Sequence, residues 1–140
     1  YQEAFKPHLT LIKGLTDFLD KAANAGIPMA IGTAANRFNI DFVLDNLNIR
    51  HYFKAVISAE DVVASKPDPE VFLKCAAAIN ADPAQCIVFE DAPKGVEAAQ
   101  NAGMKSVVLT TMHTRDEFGA YHNTTAFVSD YTDPVLQHLF

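Results

Sequence analysis

Three stretches of this chain place chemically useful polar side chains directly after, or close behind, an apolar run. The sharpest is Cys86-Ile87-Val88-Phe89-Glu90-Asp91, where four apolar residues end in two adjacent carboxylates. Neighbouring acids repel unless they share a cation, and a hard divalent ion such as Mg²⁺ is the usual choice. Against this stands a plainer reading, in which Asp91 only caps the helix that Pro93 begins. The second stretch is Gly32-Thr33-Ala34-Ala35-Asn36. A hydroxyl and backbone N–H groups at a strand-to-helix turn form a cradle for a phosphate or other oxyanion. Here too Thr33 or Asn36 could be nothing more than a helix N-cap. The third is Ser65-Lys66-Pro67-Asp68-Pro69, in which two prolines stiffen the backbone around one lysine. A lysine fixed in this way is a candidate counter-charge for phosphate, whereas most lysines are solvated surface. If all three stretches follow strands of one parallel sheet, they converge on its carboxyl edge, where such sheets bind ligands. A phosphate held with a divalent cation would use all three.

The elements needed to position these residues can be read from the periodicity. Leu15, Phe18, Leu19 and Ala22 follow helical spacing, with Gly26 as the stop. Ile27–Ile31 reads as a strand. Phe38, Phe42, Leu44 and Leu47 mark a second amphipathic helix. Phe53–Ile57 is a strand ending at Ser58, after which Glu60 and Asp61 cap a short segment. Asp68 and Pro69 open a helix with Phe72, Cys75, Ala76 and Ile79 on its apolar face. Cys86–Phe89 is an apolar run without alternation, as in a strand buried on both faces. The helix after it stops at Gly103, and Ser106–Leu109 is a further buried strand. Thr114 to Glu117 fits a capping box. Ala126–Val128 is a last strand, and Asp133-Pro134 starts a C-terminal helix. Strands separated by helices predict an open α/β fold with a parallel sheet and helices on both faces.

Composition narrows the function classes. The chain has 140 residues, enough for one domain with a real core. Its 11 basic and 17 acidic residues give a net charge of −6, which disfavours a nucleic-acid or anionic-membrane surface. Its two cysteines, Cys75 and Cys86, have no metal-type spacing, and a reducing cytoplasm is the expected setting. His8, His51, His113, His122 and His138 are scattered, so a zinc site is not expected. Cys75 and the phenylalanines Phe5, Phe38, Phe42, Phe53, Phe72 and Phe89 read as packing. His113 reads as a surface histidine without a partner.

The three stretches together resemble motifs II, III and IV of the haloacid dehalogenase superfamily, most closely its beta-phosphoglucomutase-like branch. Thr33 after Met29-Ala30-Ile31-Gly32 is similar to the second motif. Lys66 in Ser-Lys-Pro-Asp-Pro-Glu-Val-Phe is similar to the third. Glu90-Asp91 followed by Gly95, Ala98, Ala99 and Ala102-Gly103-Met104 is similar to the fourth. The resemblance implies a three-layer α/β/α Rossmann-like core. It also implies Mg²⁺-dependent phosphatase or phosphomutase chemistry on a small phosphorylated metabolite such as a sugar phosphate. Thr33 and the Ala34 N–H would bind the transferring phosphoryl group. Lys66 would neutralise that group and orient the nucleophile, and Asp91 with Glu90 would bind Mg²⁺. Asn36 and Arg37 would meet the rest of the substrate.

One departure is large. The family's nucleophile and its acid–base partner form an Asp-x-Asp pair on a central strand, and no two aspartates of this chain stand at that spacing. The expectation is therefore a fragment. Residues 1–8 would be the end of a helical cap, and 9–140 an incomplete core lacking its central strand between Ile27–Ile31 and Cys86–Phe89. The chain alone would be inactive, with a preceding segment or a second copy completing the sheet. Two rival readings are a non-catalytic, receiver-like or interaction domain and a dehalogenase of the same superfamily. The dehalogenase would leave the Glu90-Asp91 pair without a task.

Overall fold

The computed structural model describes residues 12–119 and 121–139. In chain order they form α1 (Leu15–Asn24), β1 (Ala30–Gly32), α2 (Arg37–Leu47), β2 (Ala55–Ile57) and α3 (Glu70–Ala78). There follow β3 (Ile87–Glu90), α4 (Pro93–Asn101), β4 (Lys105–Leu109) and β5 (Thr124–Val128). The expected alternation holds, with strand ends displaced by up to three residues. The helix expected after Asp133-Pro134 is a 3-10 turn, Pro134–His138, with Asp133 accepting from the Val135 N–H at 2.9 Å. The cap segment expected over residues 1–8 lies outside the described residues.

Every strand pairing is parallel. Ile31 stands opposite Val56 in β1–β2, Glu90 opposite Val108 in β3–β4, and Leu109 opposite Val128 in β4–β5. The pairings make two sheets, one of order β1-β2 and one of order β3-β4-β5. Among the described residues, β1 and β3 each have one edge without a strand partner, as expected of a core without its central strand.

Helices cover both faces. On one side α1 and α2 bring Leu19, Ile40 and Leu44 onto Ile31 and Val56. On the same side Phe18 packs with Val107, Leu109 and Val128. Adjacent residues of α1 thus reach the two sheets separately. On the opposite side α3 and α4 share one cluster, Val71, Phe72 and Ala76 with Ala98 and Ala99, against Ile57 and Val88. Neighbouring strand residues point to opposite layers, as the pleat requires. The small side chains of α4 let it lie close to both α3 and the sheet.

Two packing expectations fail. Phe38 and Phe42 mark the apolar face of α2 in the sequence, but they are 73% and 38% exposed. The helix buries Ile40, Val43 and Leu44 instead. Asn36 caps the helix by accepting the Asn39 N–H at 2.8 Å, and Phe38 and Phe42 each lie two residues, roughly 200° of helix rotation, from Ile40 and so face away from the sheet.

Candidate active site

The first component is the turn from β1 into α2. Gly32 ends β1 where α3 crosses closely. A Cβ there would lie 3.0 Å from Cys75 Sγ and 3.1 Å from Val71 Cγ2, so glycine permits the approach. Thr33 follows, buried, with its N–H donating to Ile57 O at 3.0 Å. Its hydroxyl oxygen accepts the Ala35 N–H at 3.0 Å, leaving the hydroxyl proton available to another acceptor. The Ala59 N–H donates to Ala35 O at 3.0 Å, which pins the turn to the end of β2. Asn36, not Thr33, caps α2.

The second component is Lys66, between β2 and α3. Its ammonium donates to Glu90 Oε2 at 2.9 Å and to Gly32 O at 3.5 Å. It also lies 4.8 Å from the centre of the Phe72 ring. Lys66 therefore touches the ends of both β1 and β3 and closes the distance between the two sheets. The Lys66 and Glu90 side chains are only 16% and 11% exposed. Asp68 is not the N-cap of α3. That position is Pro69, without a side-chain cap, while Asp68 Oδ1 accepts the Glu70 N–H at 3.0 Å.

The third component is the acid pair. Glu90 Oε1 accepts the Asp91 N–H at 3.2 Å, and Oε2 takes Lys66. Burial pushes the Glu90 carboxyl above its ordinary range, the Lys66 charge pulls it back, and the Asp91 charge pushes it up again. A Cβ on Gly95 would come within 2.0–2.2 Å of the Glu90 carboxyl group, so that glycine makes the pocket in which the carboxyl lies. The plainer reading of Asp91 does not hold: α4 is capped at Ala92, without a side-chain bond.

These residues suit a divalent cation in part. Mg²⁺ takes one or two protein carboxylates and keeps several waters. Two adjacent acids, one of them buried against a helix start, supply that number. Among the described residues no group of three or more histidine, cysteine or acidic side chains could hold a metal.

Asn36 and Arg37 have internal partners. The Arg37 guanidinium donates to Val56 O at 2.9 Å and Asp61 Oδ2 at 2.7 Å, and the Arg37 backbone N–H donates to both Glu60 carboxylate oxygens at 3.0 Å. Asp61 also closes a capping box with Ser58. Sequence reasoning gives Glu60 and Asp61 a capping role, which holds for Asp61, but it has neither the pairing with Ser58 nor the link from Asp61 to Arg37, which spans 24 residues. It also missed Tyr131. This ring lies 5.1 Å from Phe18 and 5.8 Å from Phe89, and burial together with the Asp91 and Glu90 charges raises its phenol pKa. No residue spacing signals that contact, because the chain reaches it from beyond β5.

The fold and this site define a Rossmann-like α/β core with its polar residues on the carboxyl edge of parallel strands. The chain belongs to the haloacid dehalogenase-like hydrolase family, whose model matches residues 1–109. It is 46% identical over 80 residues to the fructose-1-phosphate phosphatase of Escherichia coli, covering 57% of this chain and 43% of that protein. It is 32% identical over 133 residues to the validoxylamine A 7'-phosphate phosphatase of Streptomyces hygroscopicus subsp. limoneus, covering 95% and 61%. The beta-phosphoglucomutase structure from Clostridium difficile superposes with a TM-score of 0.69 at 29% identity, covering 85% of this chain and 50% of that one. A hydrolase from Pseudomonas syringae shares the fold, with a TM-score of 0.81 at 24% identity. The chain thus spans about half the length of these relatives. Among the described residues, no helix is long and apolar enough to cross a membrane.

Proposed function

We propose that this chain forms most of the core of a Mg²⁺-dependent phosphatase or phosphomutase acting on a small phosphorylated metabolite such as a sugar phosphate. The observation that carries the reading is Lys66, bonded at once to Gly32 beside Thr33 and to Glu90 beside Asp91. Residues 1–8 would be the end of a helical cap, and 9–140 the core. A strand carrying an Asp-x-Asp pair would lie between β1 and β3, supported by their unpartnered edges among the described residues. The names of the relatives, phosphatases of phosphorylated small molecules and a phosphoglucomutase, support the substrate class.

In this reading the Thr33 hydroxyl and the Ala34 N–H hold non-bridging oxygens of the phosphoryl group. Lys66 has three N–H donors, two already directed at Gly32 O and Glu90, and the third neutralises charge on phosphorus. The first aspartate of the added strand attacks phosphorus, so that an O–P bond forms as the ester P–O bond breaks. The second aspartate gives the departing oxygen its proton and then deprotonates the water or hydroxyl that takes the phosphoryl group, as the O–P bond to the first aspartate breaks and frees its carboxylate. Glu90 and Asp91 would hold Mg²⁺, which when bound offsets negative charge on the phosphoryl oxygens. Asn36 and Arg37 would meet the rest of the substrate, with Asp61 as the resting partner of Arg37. The two free thiols, Cys75 and Cys86, fit a cytoplasmic setting.

The test is an assay of the intact protein that contains this chain, on p-nitrophenyl phosphate and a panel of sugar phosphates, with Mg²⁺ and with EDTA. Turnover is expected with Mg²⁺ alone, and Lys66→Met or Thr33→Val should lower kcat/KM roughly 100-fold or more, the usual effect of removing one transition-state donor. The 140-residue chain by itself should give none. An intact protein without Mg²⁺-dependent turnover would point to a binding module instead.

A further inference from the structure

A cleft of about 450 Å³ opens beyond the carboxyl end of β4, lined by residues 110–115 and Phe127. The chemistry proposed above makes no use of it. Its inner wall is fixed by the sheet: the Thr110 N–H and hydroxyl both donate to Val128 O, at 2.9 and 3.3 Å. Its rim is fixed by the capping box of the Arg115–Phe118 turn. One oxygen of Glu117 accepts the Thr114 N–H at 2.9 Å and the Thr114 hydroxyl at 3.2 Å. The other lies 2.8 Å from His113 Nδ1, the partner that the sequence did not reveal. The His113 bond first, and the Thr114 N–H next, hold the Glu117 carboxyl below its usual range. Both its oxygens are therefore engaged within the loop.

Arg115 is left without a carboxylate partner among the described residues. Its guanidinium lies over the Phe127 ring, 4.5 Å from the centroid. A guanidinium supported on an aromatic ring keeps its plane fixed and its N–H donors available around the edge. Such a fork is suited to two-point binding of a carboxylate or phosphate. Asp116 and Glu117 do not line the cleft. The chain's net charge of −6 repels anions at long range, so binding here depends on these short-range donors. Glu90 is in register with Val108, so the cleft starts two residues further along the neighbouring strand, on the same edge as the Lys66 site.

We propose that this cleft is a second anion site, which binds the phosphate or carboxylate group of a small metabolite through Arg115. The group is either a distal anion of the substrate or part of a separate ligand. Inorganic phosphate is the probe, titrated into the isotopically labelled intact protein and followed by amide NMR shifts, with and without Thr33→Val, which weakens the first site without removing the Lys66–Glu90 pair. Saturable shifts at residues 110–115 are expected in both backgrounds. Arg115→Met should weaken them at least ten-fold, and Arg115→Lys less. Arg115 is exposed, so both variants should keep the native spectrum elsewhere. No saturable shift at 110–115, or an unchanged midpoint in Arg115→Met, overturns the proposal. This titration needs no turnover, so it stands apart from the phosphotransfer reading. With an active enzyme, a KM raised by Arg115→Met for fructose 1,6-bisphosphate but not for fructose 1-phosphate assigns the site to the substrate. Unchanged KM values with phosphate still titrating the cleft assign it to a separate ligand.

Discussion

The two sheets of this core contrast in how their strands are enclosed. In the β3-β4-β5 sheet, β4 has a strand on either side, and Ser106 to Leu109 are all buried. In the β1-β2 sheet every strand residue is only half-buried, and the same holds for most of β3, which faces it. The difference is not one of hydrophobicity, since Ala30-Ile31 and Val88-Phe89 are as apolar as Val107-Val108. It follows from position: β4 has a strand on both sides, whereas each other strand has one partner among the described residues, and the unpartnered edges of β1 and β3 border the opening between the sheets. The helices bridge that opening above and below, with α1 on one face and α3 against α4 on the other. At the level of the sheet edge, the bond from Lys66 to Glu90 spans it. The chemically useful residues gather at the least enclosed seam of the fold.

The largest test of this contrast is to cut the bridge. Lys66→Met leaves the buried Glu90 carboxyl without its cation, and a loss of about 3–5 kcal/mol in urea unfolding is expected. Lys74→Met removes an exposed pair with Glu70 at 3.0 Å and should cost at most about 1 kcal/mol. Equal losses for the two would mean that Lys66 does not bridge the sheets.

A smaller effect is expected from strand truncations. Val108→Ala empties a site that is fully buried and should cost about 2 kcal/mol, whereas Val88→Ala on the half-buried β3 should cost less than about 1 kcal/mol in the 140-residue chain. In the intact protein the gap between the two values should narrow, because a strand beside β3 would bury Val88 further. An undiminished gap there counts against the inserted strand.

The smallest effect is chemical. Burial pushes the Cys75 thiol up to about 12, the Lys66 charge lowering it only in part, while Cys86 is raised less and is partly exposed. At pH 8 iodoacetamide should therefore modify Cys86 first, Cys75 following only as the chain unfolds. Simultaneous labelling would show that the α3 side of the seam opens in the native state.

Much of this arrangement could be read in advance because it is local. Runs such as Cys86–Phe89 and Ser106–Leu109 announce strands, and their order with the intervening helices allows few topologies. The Thr114–Glu117 box closed as its spacing implied, because capping depends on residues three apart. The sequence also placed Thr33 and Glu90-Asp91 at the ends of strands, which in a parallel sheet is enough to put them on one edge, and set Lys66 in the connection that leads from β2 to α3 on that same side. Tertiary structure decided what these side chains bond to. It paired Lys66 with Glu90, tied Arg37 to Asp61, set Tyr131 beside the acids, turned Phe38 to solvent and left Arg115 on Phe127. Those outcomes join residues far apart in the chain, and which partners meet depends on how the helices settle on the sheet, information that no local pattern carries.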